Sequence, residues 1–320
     1  ALAGSINHTG NITITNDDYT LAQLKVINDG TSGTITIQND AATTELVTIN
    51  DASDGAITLS DGSQALSGTA SQLVDALDGT INYSGNVTIT DDYTLAQLKS
   101  INDATSGTIT LSNAGVNLSG NSSDLAAAFA GTVTAHTGTI GITNNDYTMA
   151  ELVTINNATS GTITLTHTAV AISGTTTQFA AALDGTINYT GDVTVTGTYT
   201  AAQLASINTG TTGSLTLDDP TVNLSGTSSD LAAAFTASSN GTAVTTHTGT
   251  IAITNNDYTV SQLKTINDGS TGAITFTTTD VALSGSSSDL ATALANSNNY
   301  AGNVTVTNND YTVANLKVPI

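Results

Sequence analysis

Five aspartates stand immediately before a tyrosine, at Asp18, Asp92, Asp146, Asp257 and Asp310, and two more, Asp17 and Asp91, stand one place earlier. Asn16, Asn145 and Asn256 lie close by. Carboxylate and amide oxygens are hard ligands, and a set of them returning at regular intervals is calcium chemistry. Calcium is therefore the one candidate cofactor. The competing reading is structural: Asp and Asn favour turns and helix N-termini, where the helix dipole welcomes negative charge. The column breaks at Thr198, ahead of Tyr199.

Other chemistry-bearing side chains also recur in step. His8, His136 and His247 occupy the place of Tyr83, Tyr189 and Tyr300, as "INHTG" against "INYSG" illustrates. At the strand spacing, successive members would lie roughly 10 Å apart, two repeats on. That is too far for shared metal ligation, so the position reads as a structural aromatic one. His167 has no counterpart. The lysines, Lys25, Lys99, Lys264 and Lys317, each follow the same leucine of the repeat and mark a solvated helix face. Threonine pairs such as Thr88 and Thr90 or Thr194 and Thr196 would line an outer strand face, interrupted at Gly141 and Ala252. Sequons at Asn86, Asn117, Asn188 and Asn303 follow from a composition rich in Asn and Thr. An enzyme needs a constellation that occurs once, and even the Asp218–Asp219 pair fits a turn of the repeat. No catalysis is expected.

Composition narrows the partners. The chain has 320 residues and a net charge of -22, with 26 acidic residues against four basic ones, all lysine. Nucleic acid and anionic membranes are held by positive charge and are excluded as partners. There is no cysteine, hence no disulfide framework and no thiolate metal site. Apolar stretches such as "LAAAFAG" at Leu125 are far shorter than a membrane span needs, so no membrane insertion is expected. Residues 1–10 show no signal-peptide pattern.

The elements that must position these residues are legible in one stretch, "NDDYTLAQLKVIND" (16–29), which returns as "TDDYTLAQLKSIND" (90–103), "NNDYTMAELVTINN" (144–157) and "NNDYTVSQLKTIND" (255–268). Its leucine has equivalents at Leu24, Leu46, Leu73, Leu98, Leu125, Leu152, Phe179, Leu204, Leu231, Leu263, Leu290 and Leu316, about every 26 residues, the period of a solenoid coil. Ser, Thr or Asn three places before Gln, Glu or Asp, as in Thr69 with Gln72 or Thr94 with Gln97, is a capping-box signature. With the threonine as N-cap, Tyr19, Tyr93, Tyr147, Tyr199, Tyr258 and Tyr311 fall at N′ and the marker leucine at N4, the two positions of a hydrophobic staple. Period-two runs such as "NVTIT" and "TITLS" read as short strands with Ile and Val inward and Thr outward.

These features predict a repeat solenoid: a right-handed parallel β-solenoid with two short strands and one short helix per coil. About 12 coils of about 26 residues would fill residues 1–320 as one continuous body, roughly 55 to 60 Å long. Two coil types alternate along most of the chain, and an extra coil at Leu46 breaks the alternation near the start. One type carries the tyrosine; the other has "LSG" or "ISG" before an alanine-rich helix. The chain begins and ends inside a coil, so its open strand edges point to self-association head to tail, or to a window of a longer array.

The alternation of "GNVTITDDYTLAQLKSINDATSG" with "TITLSNAGVNLSGNSSDLAAAFAG" resembles the long Thr-, Asn-, Asp- and Gly-rich arrays of giant extracellular bacterial surface proteins, those of cyanobacteria among them. The resemblance spans the whole chain. It implies an extracellular or cell-surface location and a structural, adhesive or matrix role, and it assigns no functional residue. The expected function is a structural module of an extracellular fibre, matrix or cell-surface protein. The alternative is a calcium-dependent adhesive or ligand-binding surface module, with surface glycans as candidate partners.

Overall fold

The computed structural model describes residues 9–14, 35–37, 43, 46–47, 57–59, 61–81, 83–184, 187–236, 246–309, 311–312 and 314. Two compact units make up the chain: Ala1–Tyr147 with Thr154–Thr166, and Thr148–Val153 with His167–Ile320.

Short parallel strands and short helices repeat through both units. In the first, Ile12–Ile14, Ile35–Ile37, Ile57–Leu59 and Thr80–Ile81 form one sheet in that order. Leu66–Gly68, Val87–Ile89 and Ile109–Leu111 form a second, and Leu118–Gly120, Ile140–Ile142 and Ile163–Leu165 a third. In the second unit Ile172–Gly174, Val193–Val195 and Leu215–Leu217 pair in order, as do Leu224–Gly226, Ile251–Ile253 and Ile274–Phe276, while Leu283–Gly285 pairs with Val304–Val306. Each of these pairings is parallel, and the registers mostly set apolar on apolar, as with Leu66 opposite Val87 and Val87 opposite Ile109, although Ile57 faces Thr80 and Thr58 faces Ile81. This arrangement is compatible with a repeat solenoid, and no closed barrel forms among the described residues.

The sequence reason is the period-two pattern. Val87, Ile89, Ile109, Ile140 and Ile142 are fully buried, whereas Thr110 and Thr164 between such residues face solvent. The marker positions Leu46, Leu73, Leu98, Leu125, Leu152, Phe179, Leu204, Leu231, Leu263 and Leu290 are all buried. Leu24 and Leu316 lie outside the described residues. Ahead of the strand in the tyrosine segments, pairing shrinks to single parallel bridges, Val133 with Ile109 and His136 with Thr159.

Helices of two to three turns follow the strands, among them Ala70–Leu77, Leu95–Ala104, Ser122–Ala128, Ala201–Thr209, Ser228–Phe235, Val260–Asp268 and Ser287–Ala293. Capping boxes close at Thr69, Thr94, Thr175, Thr200 and Thr259. Helices this short are unstable alone and are held by their neighbours. Val260–Asp268 lies along both Ser228–Phe235 and Ser287–Ala293.

The "TSG" and "STG" turns are places of close backbone approach. A Cβ on Gly107 would collide with the Gly85 carbonyl, and one on Gly272 with that of Gly249. Only glycine fits there.

Candidate functional site

The residues that recur as candidate ligands gather at the junctions between successive segments. Asp92, Asp146 and Asp257 are exposed, and each accepts from an asparagine amide: Asp92 from Asn113, Asp146 from Asn144 at 2.7 Å, Asp257 from Asn255. Asp91 reaches back to the preceding segment, where its Oδ1 accepts from the Ala70 backbone amide at 2.7 Å. Ala70 is the first residue of its helix, so a carboxylate caps an orphan donor at the positive end of the dipole. Asp17, Asp18 and Asp310 lie outside the described residues.

Asn144, Asn255 and Asn308 occupy a neighbouring position and do the same work. Their Oδ1 atoms accept from the amides of Ser122, Ser228 and Ser287, each at 2.8 Å. Their Nδ2 atoms donate to the hydroxyls of the same serines, at 2.9, 2.9 and 3.4 Å. These serines open the alanine-rich helices and are 0 to 2% exposed. Each asparagine thus clamps the N-terminus of the previous helix with two bonds.

The other end of the fourteen-residue stretch grips forward. Asn102 donates to the Ala127 carbonyl at 2.7 Å, Asn208 to Ala233 at 2.9 Å and Thr236 at 2.8 Å, and Asn267 to Ala293 at 2.7 Å. These carbonyls lie at the C-terminal ends of the following helices, where acceptors lack intrahelical partners. The segments of Tyr93 and Tyr258 therefore each hold both neighbouring helices, one by its N-terminus and one by its C-terminus. Sequence reasoning missed these clamps, because the partners lie more than twenty residues away; the signal was the asparagine at both ends of the repeated stretch.

The tyrosines Tyr93, Tyr147, Tyr199 and Tyr258 are buried at 2 to 4% exposure, whereas Tyr311 is 55% exposed. Tyr19 lies outside the described residues. Tyr258 Oη donates to the Thr278 carbonyl at 2.7 Å, and Tyr199 Oη to that of Asp219. The buried Tyr93 Oη has no hydrogen-bond partner among the described residues. Burial, with a smaller contribution from the adjacent Asp92 charge, pushes the Tyr93 phenol up to about 12.

The second column holds histidine or tyrosine in one role. Tyr83, Tyr189 and Tyr300 donate to the carbonyls of Gln64, Val170 and Val281 at 2.8, 2.8 and 2.6 Å. His136 and His247 place Nε2 2.7 Å from the corresponding carbonyls of Val116 and Val222. A carbonyl can only accept, so Nε2 carries a proton in both rings. Both are fully buried, and burial holds them below the ordinary imidazole value. His8 lies outside the described residues.

The remaining polar features are also engaged. The sequon residues Asn86 and Asn117 accept from the Thr108 and Thr139 amides across the ladder. Lys99 and Lys264 pair with Asp103 and Asp268 one helical turn on. A groove of about 480 Å³ opens between the helices Thr176–Leu183 and Ala201–Thr209, lined by Phe179, Leu183, Gln203 and Ile207 among others. Among the described residues no group of three or more His, Asp or Glu side chains is placed to hold a metal ion, and no helix is long and apolar enough to cross a membrane. No protein-family model, curated protein or solved structure matches the chain.

Proposed function

We propose that the chain is a structural module of an extracellular fibre, matrix or cell-surface protein, a right-handed β-solenoid of about twelve coils in two alternating types. Its work is to span distance and present an acidic, hydroxyl- and amide-rich surface. The observation that carries this reading is the reuse of one junction chemistry: the side chains that could bind or react recur with the repeat and are spent on hydrogen bonds within and between neighbouring segments. Buried polar groups satisfied in this way rigidify a stack and specify its register. The tyrosines act as staples that fix how the chain enters each helix, a role their burial supports. No catalytic role is proposed.

Self-association head to tail is the partner reading. Electron microscopy of the purified chain tests the proposal. Filaments with an axial repeat matching about twelve coils are expected; compact particles with no elongated form would refute it.

The alternative, a calcium-dependent adhesive or ligand-binding module, draws on the exposed Asp92, Asp146 and Asp257. Thermal melting in EGTA separates the two. The structural reading expects an unchanged midpoint, because asparagine amides already satisfy these carboxylates, and a large drop would favour calcium.

A further inference from the structure

His136 and His247 do the work of tyrosine with a group that titrates near neutrality. Each ring is 0% exposed. Each packs against a phenylalanine, Phe129 at 5.4 Å and Phe235 at 5.6 Å between ring centroids. On the far side, Nδ1 faces a hydroxyl: Thr159 Oγ1 at 3.3 Å from His136, Ser270 Oγ at 3.4 Å from His247. Those hydroxyls already accept from the amides of Gly161 and Gly272. They already donate to the carbonyls of Gly138 and His247, so a second ring proton would find a remaining lone pair on each hydroxyl. What it could not find is a compensating charge.

The charged groups on the surrounding elements are committed elsewhere. On the helix Ser122–Ala128, Asp124 accepts from the Asn121 side-chain amide. Around His247, Asp219 bonds Thr221, Asp230 bonds Thr227, and Asp268 pairs with Lys264. None of them contributes to either imidazole, whose surroundings act through burial and a single backbone carbonyl.

We infer that His136 and His247 are acid-sensitive joints, at which mild acidification opens the junction locally while the junctions built on Tyr83, Tyr189 and Tyr300 stay closed. The neutral imidazole is the folded form. Its affinity for a proton is lower in the closed junction than in the open one, so stability is full above the open-state value and falls as pH drops below about 6.5. Between the open-state and closed-state values, each joint takes up one proton on opening. The opening equilibrium then rises about tenfold per pH unit. Carboxylates in general titrate lower, near 4, which separates the two effects.

The test is an NMR titration of the full chain from about pH 8 to about pH 5, with amide exchange corrected for its intrinsic pH dependence. Thr137 and Thr248, which follow the histidines, donate to Ala114 and Pro220. Ser84, Thr190 and Ala301 follow the tyrosines and donate to Gly62, Thr168 and Thr279. Protection at Thr137 and Thr248 is expected to fall with the stated slope while that at the other three holds. Replacing each histidine with the residue of its sister junctions, His136→Tyr and His247→Tyr, should remove the acid response and leave the fold. An equal response at all five amides would overturn the inference. So would persistence of the response in the double variant.

Discussion

Two junctions of the same unit differ in how the segment ahead of the tyrosine meets the previous helix. Where the segment of Tyr258 follows the helix Ser228–Phe235, Asn255 clamps Ser228 through its amide and its hydroxyl. Where the segment of Tyr199 follows the helix Thr176–Leu183, the residue in that place is Thr196, and Gly197 after it adopts a left-handed φ of 76°. Asparagine offers separate acceptor and donor atoms, whereas threonine has one oxygen closer to its backbone. The groove of about 480 Å³ opens at this junction. The same segment still grips forward through Asn208, so its two ends are separable. Apolar burial alone brings helices together, and the polar clamp decides how closely.

That contrast can be broken or sharpened by substitution, with local amide exchange and urea unfolding as readouts. Leu263→Ala, at the tightly held junction, should cost about 3 to 5 kcal/mol, and Leu204→Ala, beside the groove, should fall toward the lower end because its neighbours are freer to relax. Equal losses would mean that the groove is as rigid as the clamped junction. Asn267→Ala removes the donor to Ala293 and should cost about 1 to 3 kcal/mol, since it leaves a buried carbonyl unpaired. Asn255→Ala should cost about 1 kcal/mol, read as earlier exchange at the start of the helix Ser228–Phe235. The reverse exchange, Thr196→Asn with Thr176→Ser, should raise stability by about 0.5 to 1 kcal/mol and slow exchange beside the groove. Lys264→Ala should leave the urea midpoint unchanged, since its ion pair is exposed.

The sequence disclosed what is local. Thr94 and Gln97 lie three residues apart, so the capping box at that helix could be read directly and is present. The buried faces of Val87 with Ile89 and of Ile109 with Leu111 followed from alternation. The junction chemistry was opaque for the opposite reason. Asn144 finds Ser122 across a full segment, and nothing in either local stretch announces the pairing. Asparagine ahead of the tyrosine looked like turn composition or a metal column because both readings require the same side-chain oxygens. The histidine position was legible as structural because tyrosine replaces it, but its shared carbonyl target required the fold.

The two-sided grip of the tyrosine segment has a consequence for how such a chain can lengthen. The Tyr258 segment uses an alanine helix on each flank, one offering the Ser228 amide and the other the Ala293 carbonyl. Duplicating such a segment alone would strand the asparagines that face its copy, whereas duplicating it with its alanine neighbour keeps both clamps. Gene duplication should therefore favour two-tile steps, each adding two strand spacings, roughly 10 Å; the extra segment around Leu46 is the exception.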